Sequence, residues 1–140
     1  MSAALANLVL APVLVPLAGV VGGVLLAGRR RLAEGFSLLA GAANLLAALA
    51  LLRVVGDRGP LVLGLGDWPQ PFGIVFAVDH LSAAMMLVSA LIAFVCLLFQ
   101  ATRVDPAAGR SAALPLVHGL MAGVGGAFAT GDLFNLYVWF

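Results

Sequence analysis

The stretch Ser111–Phe140, SAALPLVHGLMAGVGGAFATGDLFNLYVWF, decides how the rest of the chain is read. It holds an apolar run from Ala112 to Thr130, a Gly131-Asp132 break, and a second apolar run, Leu133 to Phe140, whose only polar member is Asn135. As a helix that last run would rise about 12 Å, against a hydrocarbon core of about 30 Å. The stretch therefore reads as one membrane span followed by the first two turns of another, with the chain stopping inside a membrane segment. Ser111 is placed to cap the fourth span and Asp132 to cap the fifth.

The composition agrees over the whole length. Of 140 residues, 64% are hydrophobic and 9% charged, with a mean hydropathy of +1.17. A soluble domain carries about 25% charged residues, so this chain lacks the polar surface such a domain needs. The net charge of +1 points to no nucleic-acid partner. All seven basic residues are Arg. The lone Cys96, inside an apolar run, excludes an internal disulfide and is expected to act as a small buried hydrophobe.

Working back from the quoted stretch, the residues 81–101 form the third span, opened by Asp79 as an N-cap; a role in ion entry is the sharper alternative for Asp79. His80 beside it is expected in the solvated interface. Residues 56–78, GDRGPLVLGLGDWPQPFGIVFAV, are different in kind, with Pro60, Pro69, Pro71 and five glycines. Two β-prone runs, Leu61–Leu65 and Phe72–Val78, flank the turn-forming residues 67–71, so the segment predicts an extracellular hairpin-like loop with Trp68 at the interface. Residues 35–55 form the second span, with Glu34 at its start complementing the helix dipole. Asn44 lies at mid-depth, where it either bonds a neighbouring helix or serves transport. Residues 5–28 form the first span. No basic residue precedes it, which argues against a cleaved signal peptide, and Arg29-Arg30-Arg31 follows it.

The expected fold is thus all-α: polytopic membrane helices, four spans plus the start of a fifth at 133–140. With the N-terminus outside, Arg29, Arg30, Arg31, Arg103 and Arg110 fall on the cytoplasmic side and only Arg53 and Arg58 near the other, as the positive-inside rule requires.

Ionisable groups at membrane depth are functional suspects. His118 lies about two turns into the fourth span. It can relay protons, or it can donate one hydrogen bond to a neighbouring helix. Asp132, Asn135 and Trp139 share a face at i, i+3 and i+7, readable as a cap plus a packing stripe. His118, Asp132 and Asn135 are the ion-pathway candidates; Asp79 and Ser111 are structural caps. No residue cluster has metal-ligand spacing, and no catalytic nucleophile, cofactor loop or phosphate loop is present in the sequence.

Two phrases add a resemblance. Gly66-x-Trp68-x-x-Pro71-Phe72-Gly73-Ile74 followed by Asp79-x-Leu81-Ser82, and Ala122-Gly123-x-x-Gly126-Ala127-Phe128-x-Thr130 running on through Gly131 to Phe140, resemble antiporter-like membrane subunits. The wording is most similar to the D-type subunit of the Mrp-type multisubunit monovalent cation/proton antiporters, a family related to the proton-pumping membrane subunits of complex I. The resemblance covers essentially the whole chain but only the N-terminal portion of a family member of about fourteen helices. In the family the fifth helix continues past a phrase like Val138-Trp139-Phe140 into a glutamate that pairs with a lysine two helices on. Neither residue is in this sequence, so only the scaffold Asp132-Leu133-Phe134-Asn135 and the loop carry over.

The resemblance implies the N-terminal part of a sodium/proton antiporter subunit in the inner cell membrane, a transporter component rather than an enzyme. Its partners would be other membrane subunits of a hetero-oligomer, the lipid bilayer, protons and a monovalent cation. The chain would be inactive alone, and is read as a fragment, a truncated gene product or a split subunit. The alternatives are a non-redox membrane subunit of an NADH–quinone oxidoreductase-type complex, with no NADH, flavin or iron–sulfur ligands of its own, and a non-transporting scaffold.

Overall fold

A computed structural model describes residues 3–66, 73–102 and 113–139. The turn at 67–71, with Trp68, the polar loop 103–110, the Ser111 cap and Phe140 lie outside the described residues.

Helix α1 runs Ala3–Leu25, α2 Arg30–Arg58, α3 His80–Thr102, α4 Ala113–Ala129 and α5 Leu133–Trp139. Strands β1 (Leu61–Leu65) and β2 (Ile74–Val78) lie between α2 and α3 and pair antiparallel, Leu61 opposite Val78 and Leu65 opposite Ile74. Among the described residues α1, α2 and α3 are long and apolar enough to cross a membrane, and α4, at 17 residues, is a shorter apolar helix.

The second helix departs most from its expected bounds. It starts at Arg30, so Arg30 and Arg31 belong to its first turn rather than to a loop. Glu34 accordingly sits in the second turn and not at the N-terminus. There its Oε1 accepts a hydrogen bond from Arg30 Nε at 2.8 Å, an i,i+4 pair that supports the early start. At the far end α2 closes at Gly59, whose φ of +79° disfavours side chains and whose N–H returns to Val55 O at 2.9 Å.

The four long helices pack in chain order around a ring: α1 on α2, α2 on α3, α3 on α4, and α4 back on α1. Gly22 faces Phe36, Gly41 faces Leu97, and Gly19 and Gly23 face His118 and Pro115, so successive helices run antiparallel. Their inner faces carry small and polar residues. In α2 the buried stripe is Ala33, Ser37, Gly41, Asn44, Ala48, Leu51 and Val55, while Leu39 and Leu46 point outward at 72% and 65% exposure. Large apolar residues outside and small or polar ones inside is the arrangement a hydrocarbon solvent favours, because helix contact there relies on close packing rather than on hiding leucine from water.

Cys96 follows from the same inversion. It is exposed, not buried as its apolar neighbourhood suggested. The inner stripe of α3 is Ala83, Met86, Ala90, Ala93 and Leu97, and Cys96 falls off it onto the outer face.

The hairpin covers one end of the bundle. Leu61, Phe76 and Val78 are buried against Val9, Leu51, Val55, Ala83 and Ala129, while Val62 and Ile74 face away. The chain between α4 and α5 adds to this sheet edge: Thr130 bridges Phe76, and the Gly131 N–H donates to Val75 O at 2.8 Å.

Candidate functional site

His118 is held by the register of α4. The buried positions Leu114, Pro115, His118, Ala122, Gly125, Gly126 and Ala129 form one stripe, and His118 is 2% exposed within it. Its Nε2 lies 2.8 Å from Ser37 Oγ of α2, a fully buried hydrogen bond whose donor depends on the imidazole tautomer. On the other side the ring lies over Gly19 of α1, where a Cβ would stand 2.6 Å from Cγ and Nδ1. Glycine at 19 is therefore the condition for a histidine at 118. The imidazole's partner is a hydroxyl, not a carboxylate, so the pair carries no fixed charge into the bundle. A hydroxyl both donates and accepts, so the pair can hand a proton on as well as hold one.

Asp132 and Asn135 form a separate group at the opposite end of α4. About 16 Å of helix separates His118 from Ala129, so the structure does not bring the three candidates together. Asp132 Oδ1 accepts the Phe134 N–H at 2.9 Å. Asn135, 5% exposed, donates through Nδ2 to Thr130 Oγ1 at 2.9 Å, and Thr130 Oγ1 donates to Asp132 O at 3.3 Å. Trp139 completes the face: its ring fills the space beside Gly126 and meets Phe76 of β2 with centroids 6.3 Å apart and planes tilted by 52°. Asn135 and Thr130 close the helix break on itself, and Phe76 and Trp139 fasten it to the hairpin.

This arrangement of bundle, hairpin and interrupted helix has known counterparts. No family model matches the chain. It is 36% identical over 134 residues to the D-type subunit of the Na(+)/H(+) antiporter of Bacillus subtilis and 38% identical over 139 residues to that of Alkalihalophilus pseudofirmus, in each case across 96% of this chain. The chain is a homologue of these D-type antiporter subunits. It spans 27% of the length of those two relatives. The D-type subunit of a probable K(+)/H(+) antiporter of Rhizobium meliloti is 43% identical over 82 residues, 59% of this chain and 15% of the relative. Among solved structures, a chain of the membrane-bound sulfane sulfur reductase, an archaeal respiratory membrane complex, superposes with a TM-score of 0.83 at 28% identity, over 95% of this chain and 28% of that one.

In this antiporter-subunit homologue Asp79 lies at the exposed start of α3, where Oδ1 accepts the Ser82 N–H at 2.7 Å. That backbone bond to Ser82 holds the Asp79 carboxyl below its ordinary range. Among the described residues no group of His, Cys, Asp and Glu is gathered to hold a metal ion. Sequence reading missed Ser37. Its signal was the spacing of seven from Asn44, which sets both polar residues on one face of a helix.

Proposed function

We propose that the chain forms the N-terminal part of a membrane subunit that exchanges a monovalent cation, sodium, for protons within a hetero-oligomeric complex of the inner cell membrane. The observation that carries this reading is the match along 96% of the chain to the D-type subunits of two Na(+)/H(+) antiporters. A bundle whose interior holds Ser37, Asn44, His118 and Asn135 supports it, since polar side chains inside membrane helices mark ion and proton routes.

In this reading α1 to α4 are four crossings with the N-terminus outside. The Arg29–Arg31 triplet is cytoplasmic and the hairpin external. His118 with Ser37 relays protons from the cytoplasmic half, and Asp132 and Asn135 stand at the entrance of α5. A reporter fused after Arg31 reads cytoplasmic and one at Asp67 reads external; the reverse pattern overturns the topology.

The test of function is sodium-driven proton movement in everted membrane vesicles carrying the whole operon, with and without this chain. Exchange should vanish with the chain removed. Unchanged exchange together with unchanged complex assembly rejects both transport and scaffold roles. The likeness to an archaeal respiratory membrane complex supports a second reading, a proton-moving membrane subunit of a redox-driven assembly. Its mark is dehydrogenase genes, rather than antiporter genes, beside this one.

A further inference from the structure

Two features of the bundle interior meet at one point. Asn44 of α2 is 7% exposed, and its Oδ1 is buried with no hydrogen-bond partner among the described residues. Pro16 of α1 is buried and has no N–H, so the carbonyl of Pro12, four residues earlier, lacks its helical donor. That carbonyl is turned toward α4, where a Cβ built on Gly125 would stand 2.5 Å from the Pro12 oxygen. Pro12, Asn44 and Gly125 line the same cavity, together with Ser89, Met86 and Met121.

Unsatisfied carbonyl oxygens are costly at membrane depth, and irregular helix backbone persists there only where something re-satisfies it. The cavity leaves about 10 Å³ to the centre of a water, about the room that one water needs. We propose that this cavity is a binding site for a single water molecule, which donates its two protons to Pro12 O and Asn44 Oδ1, with the Ser89 hydroxyl completing its shell. Three helices then share one polar node, with α4 closing over it through Met121, Val124 and Gly125. Among the described residues the lining carries no charged side chain, so the site suits a neutral ligand rather than a cation. Between it and the Ser37–His118 pair along α2, Leu97 Cδ1 fills the space over Gly41, 2.7 Å from where a Cβ would sit.

The two methionines make the proposal measurable. Met86 is 3% exposed and cannot be reached by bulk radicals, whereas a water bound beside it yields hydroxyl radical on X-ray radiolysis and oxidises its thioether. The experiment is radiolytic labelling of the protein in its native membranes, read by mass spectrometry at Met86 and Met121. Both should be oxidised in the native sequence, equally in sodium chloride and choline chloride. In Asn44→Leu, which removes the acceptor and fills the cavity, oxidation of Met86 should fall to background while that of the outward-facing Met85 is unchanged. An unlabelled Met86 in the native protein overturns the proposal, whatever the variant does; it would mean a dry cavity. Labelling unaffected by Asn44→Leu, or suppressed by sodium alone, overturns it as well.

Discussion

Replacing Gly125 by alanine isolates what holds α1 against α4. The added Cβ would lie 2.5 Å from Pro12 O, 3.1 Å from Pro12 C and 3.4 Å from Pro12 Cβ. Two of these atoms are backbone, so no rotamer change relieves the clash. A carbon rests about 3.3 Å from a carbonyl oxygen at its closest comfortable approach, so the helices must separate by about 0.8 Å. Overpacking of this kind costs about 1–3 kcal/mol, and the gain in helix propensity from Gly to Ala offsets up to about 1 kcal/mol of it. Gly119→Ala is the matched control. Its Cβ would meet only Val20 Cγ2, at 3.8 Å, an ordinary contact, so the propensity gain stands alone. Gly119→Ala should therefore be neutral or stabilising and Gly125→Ala destabilising, the two differing by the overpacking cost of about 1–3 kcal/mol, since the propensity gain is common to both. Unfolding of the detergent-solubilised protein by sodium dodecyl sulfate, followed by circular dichroism, measures both. Sequence spacing alone singles out Gly119 and Gly123 as the small-residue contact. If Gly119→Ala is the more damaging change, that spacing is right and the packing described above is wrong.

Three further outcomes follow from named contacts. Ser37→Ala leaves the buried His118 Nε2 without its partner and should destabilise the bundle by about 1–3 kcal/mol in the same assay, whereas a neutral result would mean that the pair is not formed. Asp79→Ala removes the bond to the Ser82 N–H and should destabilise the start of α3 at neutral pH. Because the folded carboxyl titrates below its ordinary 3.8, this contribution is complete above that value and is lost as pH falls through the lower folded value, so Asp79→Ala should flatten the acid limb of a stability–pH curve. Gly131→Ala places a Cβ 2.9 Å from Ala77 Cβ, closer than carbons pack, and should loosen the edge at β2; hydrogen exchange at the amide of residue 131 should then accelerate, and unchanged exchange would contradict the bond to Val75 O.

The helical class, the hairpin pairing of Leu61–Leu65 with residues ending at Val78, and the break at Gly131-Asp132 were legible in the sequence because each rests on local chemistry: apolar runs, turn formers, capping residues. What was not legible depends on which face of a helix turns inward. In α2 apolar residues occupy both faces, so the hydrophobic period that orients a soluble helix carries little signal. Size and polarity carry it instead, and a single polar residue such as Asn44 marks the face only once Ser37, Gly41 and Ala48 are seen to share it. Cys96 was misread for the same reason, judged by an apolar neighbourhood that here means lipid as readily as core. Ser37 meeting His118 requires the registers of α2 and α4 together, and no local pattern contains that.

The position of α5 shows how the most distinctive wording of the chain is used. The described residues hold the first seven residues of α5, Leu133–Trp139. The outer face of α5, with Leu133, Phe134 and Tyr137 at 80–85% exposure, adds no packing within the described residues. Its direction is set by the other face. Asn135 is tied back to Thr130, Thr130 and Gly131 are stitched to β2, and Trp139 lies between Gly126 and Phe76. The hairpin therefore aims α5, and a change at Phe76 or Gly131 acts on the same helix as a change at Asn135. His118 answers to different contacts, Ser37 and Gly19, at the other end of α4. Substitutions in the hairpin should thus disturb the entrance of α5 more than the Ser37–His118 pair, because about 16 Å of helix separates Ala129, which the hairpin covers, from His118.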